Sequence, residues 1–315
     1  MSAVAIDFTL SDSQQELQKN AKAFAEGVLR PIAGLIDRAD DGWESFLAGR
    51  EAYREMAHAG FTKSFIPADY GGAGFSMLDL AIAAEELTCV DVNVPTTLLA
   101  TGLGLQPVIQ YGTPEQKERF LRPFADDPEG DLLASYAFTD VAGGANFDSA
   151  DPAGGMQTIA RRDGDEWVIT GEKHYTTNGT GWDKTGCQLY TVVCRTDPNA
   201  GADDALAVIA VPGAIPGITV VDVYDKLGHR GVVTPWTSAS SRSTTRPCSE
   251  ESSATSSTRR PASSRSGRRQ AARRPSRPSP VSTRSSCCST CACPASTASR
   301  SRAACGPPTR ARVSS

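Results

Sequence analysis

The sequence predicts an α+β fold, a helical block followed by a run of strands, on three observations. Up to about residue 125, apolar residues recur at helical spacing between recognisable helix starts. After Gly130 the period changes to alternation. No Gly-x-Gly-x-x-Gly follows a strand, which argues against a doubly wound dinucleotide fold, and helices segregated from strands mark the α+β class.

The first helix starts at Leu10-Ser11-Asp12-Ser13-Gln14. Ser11 can cap, Gln14 can return the bond from the third helical position, and Leu10 sits where a hydrophobic staple would. Leu17, Ala21, Phe24, Ala25 and Val28 then keep helical spacing until Pro31, where the run is expected to stop. A second pattern covers roughly 43–59 and ends at Gly60. After the turn-rich 67–74, Ser76 with Asp79 starts a helix through about Leu87. Another fills about 95–111, and Thr113-Pro114-Glu115-Gln116 combines a cap, a first-position proline and a capping-box glutamine. Within this block His58 reads as a helix-surface residue and Glu85-Glu86 as a solvated face.

Strands are expected at 132–138, 156–161, 166–170, 188–195, 206–211 and 218–223. Arg162-Asp163-Gly164-Asp165 between the second and third is a hairpin signal, because Asp-Gly tolerates the positive φ that a two-residue loop demands. The stretch 136–179 stands out: a strand breaks into Asp140-Val141-Ala142-Gly143-Gly144-Ala145-Asn146, and a later one closes on Gly171-Glu172-Lys173-His174-Tyr175-Thr176-Thr177-Asn178-Gly179. Strand ends followed by glycine and hydroxyl residues let a flat cofactor ring approach exposed backbone. The same residues also make an ordinary sheet with turns.

Composition divides the chain. Residues 1–236 hold 17 Lys and Arg against 34 Asp and Glu, whereas residues 237–315 hold 15 Arg, no Lys and two acids. The net charge of −4 therefore conceals an acidic and a basic part. No apolar run of about eighteen residues suggests a membrane span, and no charged and apolar leader suggests export. Cys89, Cys187 and Cys194 sit in apolar periodic segments as small hydrophobes, which fits a cytoplasmic protein.

The two motifs of the 136–179 stretch resemble the paired flavin motifs of the acyl-CoA dehydrogenase family, Tyr-x-x-Thr-Glu-Pro-x-x-Gly-Ser and Gly-x-Lys-x-Trp-Ile-Thr-Asn-Gly. Further landmarks of that family follow in order: Phe8-Thr9-Leu10, Pro67-x-x-Tyr70-Gly71-Gly72-x-Gly74, Gly112-Thr113-Pro114-Glu115-Gln116-Lys117 and Lys226-Leu227-Gly228-x-Arg230-Gly231. The resemblance implies a helical N-terminal domain over 1–130 and an antiparallel, barrel-like β domain over 131–236. It also implies a C-terminal four-helix domain, with FAD between the last two domains.

Activity by resemblance is α,β-dehydrogenation of an acyl-CoA thioester, as in fatty acid metabolism: a carboxylate takes the α proton and the flavin takes the β hydride. Tyr136, Phe138 and Thr139 would line the flavin, Gly144 and Ala145 would lie near its phosphates or the acyl-CoA, Tyr175 would pack on the ring, and Thr177 would bond near its reactive nitrogen. Ala145 replaces the family's serine, Val141-Ala142 its Pro-Gly, and Tyr175 its tryptophan, which bears on the substrate more than on the flavin. Implied partners are the acyl-CoA, an electron-transferring flavoprotein or similar acceptor, and further copies of the chain. His174 and His229 have no assignable partner and read as structural.

Residues 237–315 contain no Leu, Ile, Met, Phe, Tyr, Trp, Lys or Asp, so they cannot bury enough apolar surface to order themselves and are expected to form a disordered tail. An arginine-rich nucleic-acid-binding segment is one reading, without interleaved aromatics. A metal site at Cys287-Cys288-x-x-Cys291-x-Cys293 is another, without a second cluster or a nearby histidine, so no metal is assigned. The preferred reading is an out-of-frame translation of a GC-rich gene. Synonymous codons from Trp236 onward, read one nucleotide out of register, give VDFGVVEVDDAALLGG, similar to the segment family members carry there. On that reading the tail replaces the helical domain with the family's catalytic glutamate, Glu250 and Glu251 are not substitutes, no catalytic residue is assigned, and activity is expected to be absent or impaired. A flavin-dependent monooxygenase on the same scaffold and a non-enzymatic nucleic-acid-binding protein are the alternatives.

Overall fold

The computed structural model describes residues 9–213, 215–221, 223–230 and the backbone of 233–243. Its helices are α1 (Asp12–Phe24), α2 (Arg30–Arg38), α3 (Gly42–Ala48), α4 (Arg50–His58), α5 (Met77–Thr88), α6 (Asn93–Tyr111), α7 (Pro114–Ala125) and the short α8 (Ala202–Ala205). The strands are β1 (Ala134–Ala137), β2 (Ile159–Asp163), β3 (Glu166–Thr177), β4 (Leu189–Arg195), β5 (Leu206–Pro212), β6 (Ile218–Val220) and β7 (Val233–Ser243). A helical domain thus precedes a sheet domain, in the order the periodicity predicts.

The helix starts follow their capping chemistry. Ser11 with Gln14, Ser76 with Asp79 and Thr113 with Gln116 each form a reciprocal capping box. Pro31 does not stop the first run. One π turn, Ala25–Leu29, separates α1 from α2, with the Arg30 amide bonded to the Ala25 carbonyl. Pro31 then falls in the first turn of α2, where a missing N–H costs no intrahelical bond. The pattern expected over 43–59 is two helices divided at Gly49.

The strands form a mixed sheet in the order β1-β4-β2-β3-β7-β6, with β5 on β4. The antiparallel expectation holds for β2–β3, β3–β7, β4–β5 and β6–β7, but β1 runs parallel to β4, and β2 meets β4 in parallel at Ile159 and Arg195. Parallel neighbours need a long connection, and the β2–β3 hairpin supplies part of the one between β1 and β4. That hairpin turns where Asp-Gly predicts, pairing Asp163 with Glu166 and placing Gly164 at φ +63°.

β3 is longer than expected, carrying the second motif through Thr177 inside one strand. Its partner β7 runs to Ser243, so the boundary expected at Trp236 falls within a strand and residues 237–243 are not a disordered tail. Main-chain pairing needs only N–H and C=O groups, and the Ser/Thr-rich 237–243 keep both. The expectations for 244–315, including the cysteine cluster, Glu250 and Glu251, lie outside the described residues.

One apolar cluster runs from the helices into the sheet. Phe46 stacks on Trp182 at 4.6 Å, Tyr53 lies 5.4 Å from the same ring, and the indole nitrogen donates to the Gly130 carbonyl at 3.2 Å. A second cluster packs α6 and α7 on the sheet through Leu105, Val108, Phe120, Leu121, Ala134 and Leu189. Close approach of α6 to β1 depends on Gly104, where a Cβ would lie 2.6 Å from the Ser135 nitrogen.

Candidate functional site

The first motif leaves the sheet where β1 ends, and backbone pairing brings it back to β3. The His174 amide donates to the Thr139 carbonyl at 2.7 Å, and Asp140 bridges to both Lys173 and Gly143. Tyr136 and Phe138, two residues apart on one strand face, stack at 5.8 Å, and Phe147 meets the Phe138 ring edge-on at 5.1 Å. At Gly144 a Cβ would come within 3.1 Å of both the Phe138 ring and the Thr139 hydroxyl, so this position suits a residue without one. Burial raises the Tyr136 hydroxyl above its ordinary pKa.

The second motif approaches the first from the other side of that join. The β3–β7 register shifts between Lys173 and Thr176, and Tyr175 inside the shift adopts φ +53° and is 62% exposed. Bulges re-aim side chains in this way, and a left-handed tyrosine is strained backbone held by its surroundings. Its ring lies 5.1 Å from that of Tyr224. Asn178, also left-handed at φ +66°, donates to the Thr97 carbonyl at 2.9 Å and the Thr101 hydroxyl at 3.1 Å on α6, and to the Ala134 carbonyl at 3.3 Å on β1. Ser135 donates to the Thr177 carbonyl, which ties the end of β3 to β1.

Tyr136, Phe138, Thr139 and Gly144 therefore form one patch. Tyr175 and Thr177 lie along β3, joined to that patch through the 139–174 and 140–173 contacts. Ala145 is exposed on the loop between the motifs. The half-buried rings of Tyr136 and Phe138 and the exposed Tyr175, beside hydroxyls and a glycine cradle, fit a flat, polar-edged ring such as a flavin. A separate cavity of about 460 Å³, lined by residues that include Thr185, Gln188, Pro212 and Ile215, contains none of them.

Sequence reasoning missed three sets of residues. Lys173 is fully buried and pairs with the buried Asp140 at 2.6 Å; both stand at charged positions of the quoted motifs, so the signal was present. Burial pushes the Lys173 ammonium below its usual pKa, and the Asp140 charge opposes that shift. His174 does have partners: its Nδ1 lies 2.5 Å from the Tyr224 hydroxyl and its Nε2 3.0 Å from the Glu172 carboxylate. Nothing local could have revealed a tyrosine fifty positions away. Asn178 was read only as a motif letter. No group of three or more His, Cys, Asp or Glu residues able to hold a metal occurs among the described residues, and no helix among them is long and apolar enough to cross a membrane.

Comparison with known proteins gives two matching family models, acyl-CoA dehydrogenase N-terminal domain over residues 11–127 and acyl-CoA dehydrogenase middle domain over residues 135–240. Nitroalkane oxidase from Fusarium oxysporum is 38% identical over 71% of this chain and 52% of its own length. The human mitochondrial short-chain specific acyl-CoA dehydrogenase is 30% identical over 70% of this chain and 49% of its own. A solved structure of the flavoprotein nitroalkane oxidase superposes with a TM-score of 0.70 at 34% identity, covering 75% of this chain and 58% of that one. The chain spans about half the length of the curated relatives it matches. Such relatives indicate FAD as the cofactor. Two consecutive family models over both domains, with the paired motifs joined at one patch, establish that the chain belongs to the acyl-CoA dehydrogenase family of flavoproteins.

Proposed function

We propose that this chain supplies the β-domain wall of an FAD site in an oxidoreductase that oxidises a carbon acid, with an acyl-CoA thioester as substrate. The observation that carries this reading is the joining of the two motifs at Thr139 and His174, which supports a single ring-binding surface made from both. FAD bound there would supply the hydride acceptor. Tyr136, Phe138 and Tyr175 would cover the ring and exclude water. The Thr139 and Thr177 hydroxyls would hydrogen-bond its polar edge. Gly144 would admit its phosphates, with Ala145 on the substrate side. None of these residues can accept the α proton, so that role is assigned to no described residue. An electron-transferring flavoprotein and a second copy of the chain are the proposed partners.

Oxidation of a nitroalkane is the second reading, favoured by 38% identity to a nitroalkane oxidase against 30% to a short-chain acyl-CoA dehydrogenase. Ala145 also offers no hydroxyl to a CoA or phosphate group. Both substrates carry an acidic proton beside an electron-withdrawing group, so the ring-binding half of the site serves either. The test is the absorbance spectrum of the full chain after incubation with FAD and desalting, followed by anaerobic addition of butyryl-CoA or 1-nitrohexane. Retained flavin bleached by the thioester supports the first reading, bleaching by the nitroalkane alone supports the second, and a colourless protein overturns both.

A further inference from the structure

We infer that the buried Asp140–Lys173 pair is the positioning element of the flavin surface, fixing the first motif's loop against the strand that carries the second. The inference rests on the FAD reading above and adds residues that touch the loop and not the cofactor. Lys173 is 0% exposed and sends its ammonium to three acceptors: the Asp140 carboxylate at 2.6 Å, the Phe138 carbonyl at 2.9 Å and the Met156 sulfur at 2.9 Å. Asp140, 4% exposed, accepts in turn from the Thr158 hydroxyl at 2.7 Å, the Thr158 amide at 3.1 Å and the Gln157 amide. One charged pair thus ties three pieces of chain: the loop after β1, the entry to β2, and β3.

Chemistry and placement both point to positioning. A buried ion pair is a poor way to gain stability, because desolvation offsets most of the attraction, but it defines geometry sharply since each group must find its partner. This pair lies between the proposed ring contacts. Phe138, whose carbonyl Lys173 holds, and Thr139 immediately precede Asp140, while Tyr175 and Thr177 follow Lys173 by two and four residues. Loss of the ammonium would free the Phe138 carbonyl and leave the carboxylate without its cation, so the 138–144 segment would lose its fixed distance from β3.

The test uses the full chain, with circular dichroism to establish folding, amide hydrogen exchange of 138–147 without FAD, and the FAD dissociation constant from fluorescence quenching. For Lys173→Met, exchange in 138–147 is expected to rise while that of 114–125 stays at the parental rate, and the FAD dissociation constant to rise about ten-fold or more. Lys173→Arg keeps the charge in a bulkier planar head, and the same two readouts are expected to move less; if the methionine variant does not fold, this one decides. Lys19→Met, which removes an exposed surface pair, should change neither. A folded variant with parental loop exchange overturns the tether, and a loosened loop with parental FAD affinity overturns its role toward the cofactor. If the parent takes up no FAD, the cofactor reading and this role both fall, while the exchange arm still determines whether the tether exists.

Discussion

At the scale of single residues, the site is built around two left-handed side-chain-bearing positions, Tyr175 and Asn178, that lie on either side of Thr176 and Thr177. Asn178 holds its conformation through a side-chain NH2 that reaches three acceptors and joins α6, β1 and the end of β3. Asn178→Gly removes those bonds but accepts the backbone, whereas Asn178→Ala loses them and adds a left-handed penalty of about 1–2 kcal/mol. The alanine variant should therefore unfold at lower urea than the glycine variant; equal midpoints would refute the strain argument. Tyr175 is the converse case. Its ring is exposed, so Tyr175→Gly should leave urea stability unchanged or slightly raised while weakening FAD binding by about ten-fold, because strain is relieved and a ring contact is lost. A parallel loss of stability and affinity would count against a ligand-facing role. Tyr175 was legible as a motif position; its conformation was not, since tyrosine carries no signal for positive φ.

Among the elements, what the sequence revealed was what is local. Three capping boxes and the Asp-Gly hairpin are decided within four residues, and each forms as read. Pro31 was misread because a proline signals the loss of one bond, and a single π turn absorbs that loss without ending the helical path. The parallel β1–β4 pairing was illegible, since alternation specifies a strand's faces and not its neighbour. Two predictions belong here. Gly104→Ala should cost about 1–3 kcal/mol in urea unfolding, since its methyl would press on the β1 backbone, which cannot rotate away as a side chain can. Asp79 closes the capping box of α5 from its third helical position, and hydrogen bonds from Ser76 hold its carboxyl below the ordinary value of 3.8. A carboxyl with a depressed folded pKa contributes stability that is present above its unfolded pKa and lost as pH falls through the folded one. The melting-temperature gap between the parent and Asp79→Asn should thus be constant near neutral pH and shrink only below 3.8; a gap constant down to about pH 2.5 would refute the assignment.

For the whole molecule, the composition break near Trp236 and the end of the sheet do not coincide, and the difference has a testable consequence. β7 pairs with β3 from Trp167 to Thr177 and with β6 from Ile218 to Val220, so it covers one edge of each. Every described strand pairing lies before residue 244. A chain ending after Ser243 should keep the far-UV spectrum expected of the described helices and strands, elute as a single species and take up FAD as the full chain does. A chain ending after Val232 loses β7, which leaves the long β3 with an open row of N–H and C=O groups beside the second motif. Exposed edges of this kind recruit other chains, so the shorter form should aggregate on size-exclusion chromatography and lose FAD. The nucleic-acid reading of the basic segment is tested by comparing the full chain with the Ser243 form, because ending at Ser243 removes all but one of the fifteen arginines that follow Trp236. Salt-sensitive RNA or DNA binding by the full chain that vanishes in the Ser243 form would establish that reading, and equal binding by the full chain and the Ser243 form would refute it. Equal behaviour of the Val232 and Ser243 forms in solution would show that β7 contributes nothing to the stability of the sheet or to FAD uptake.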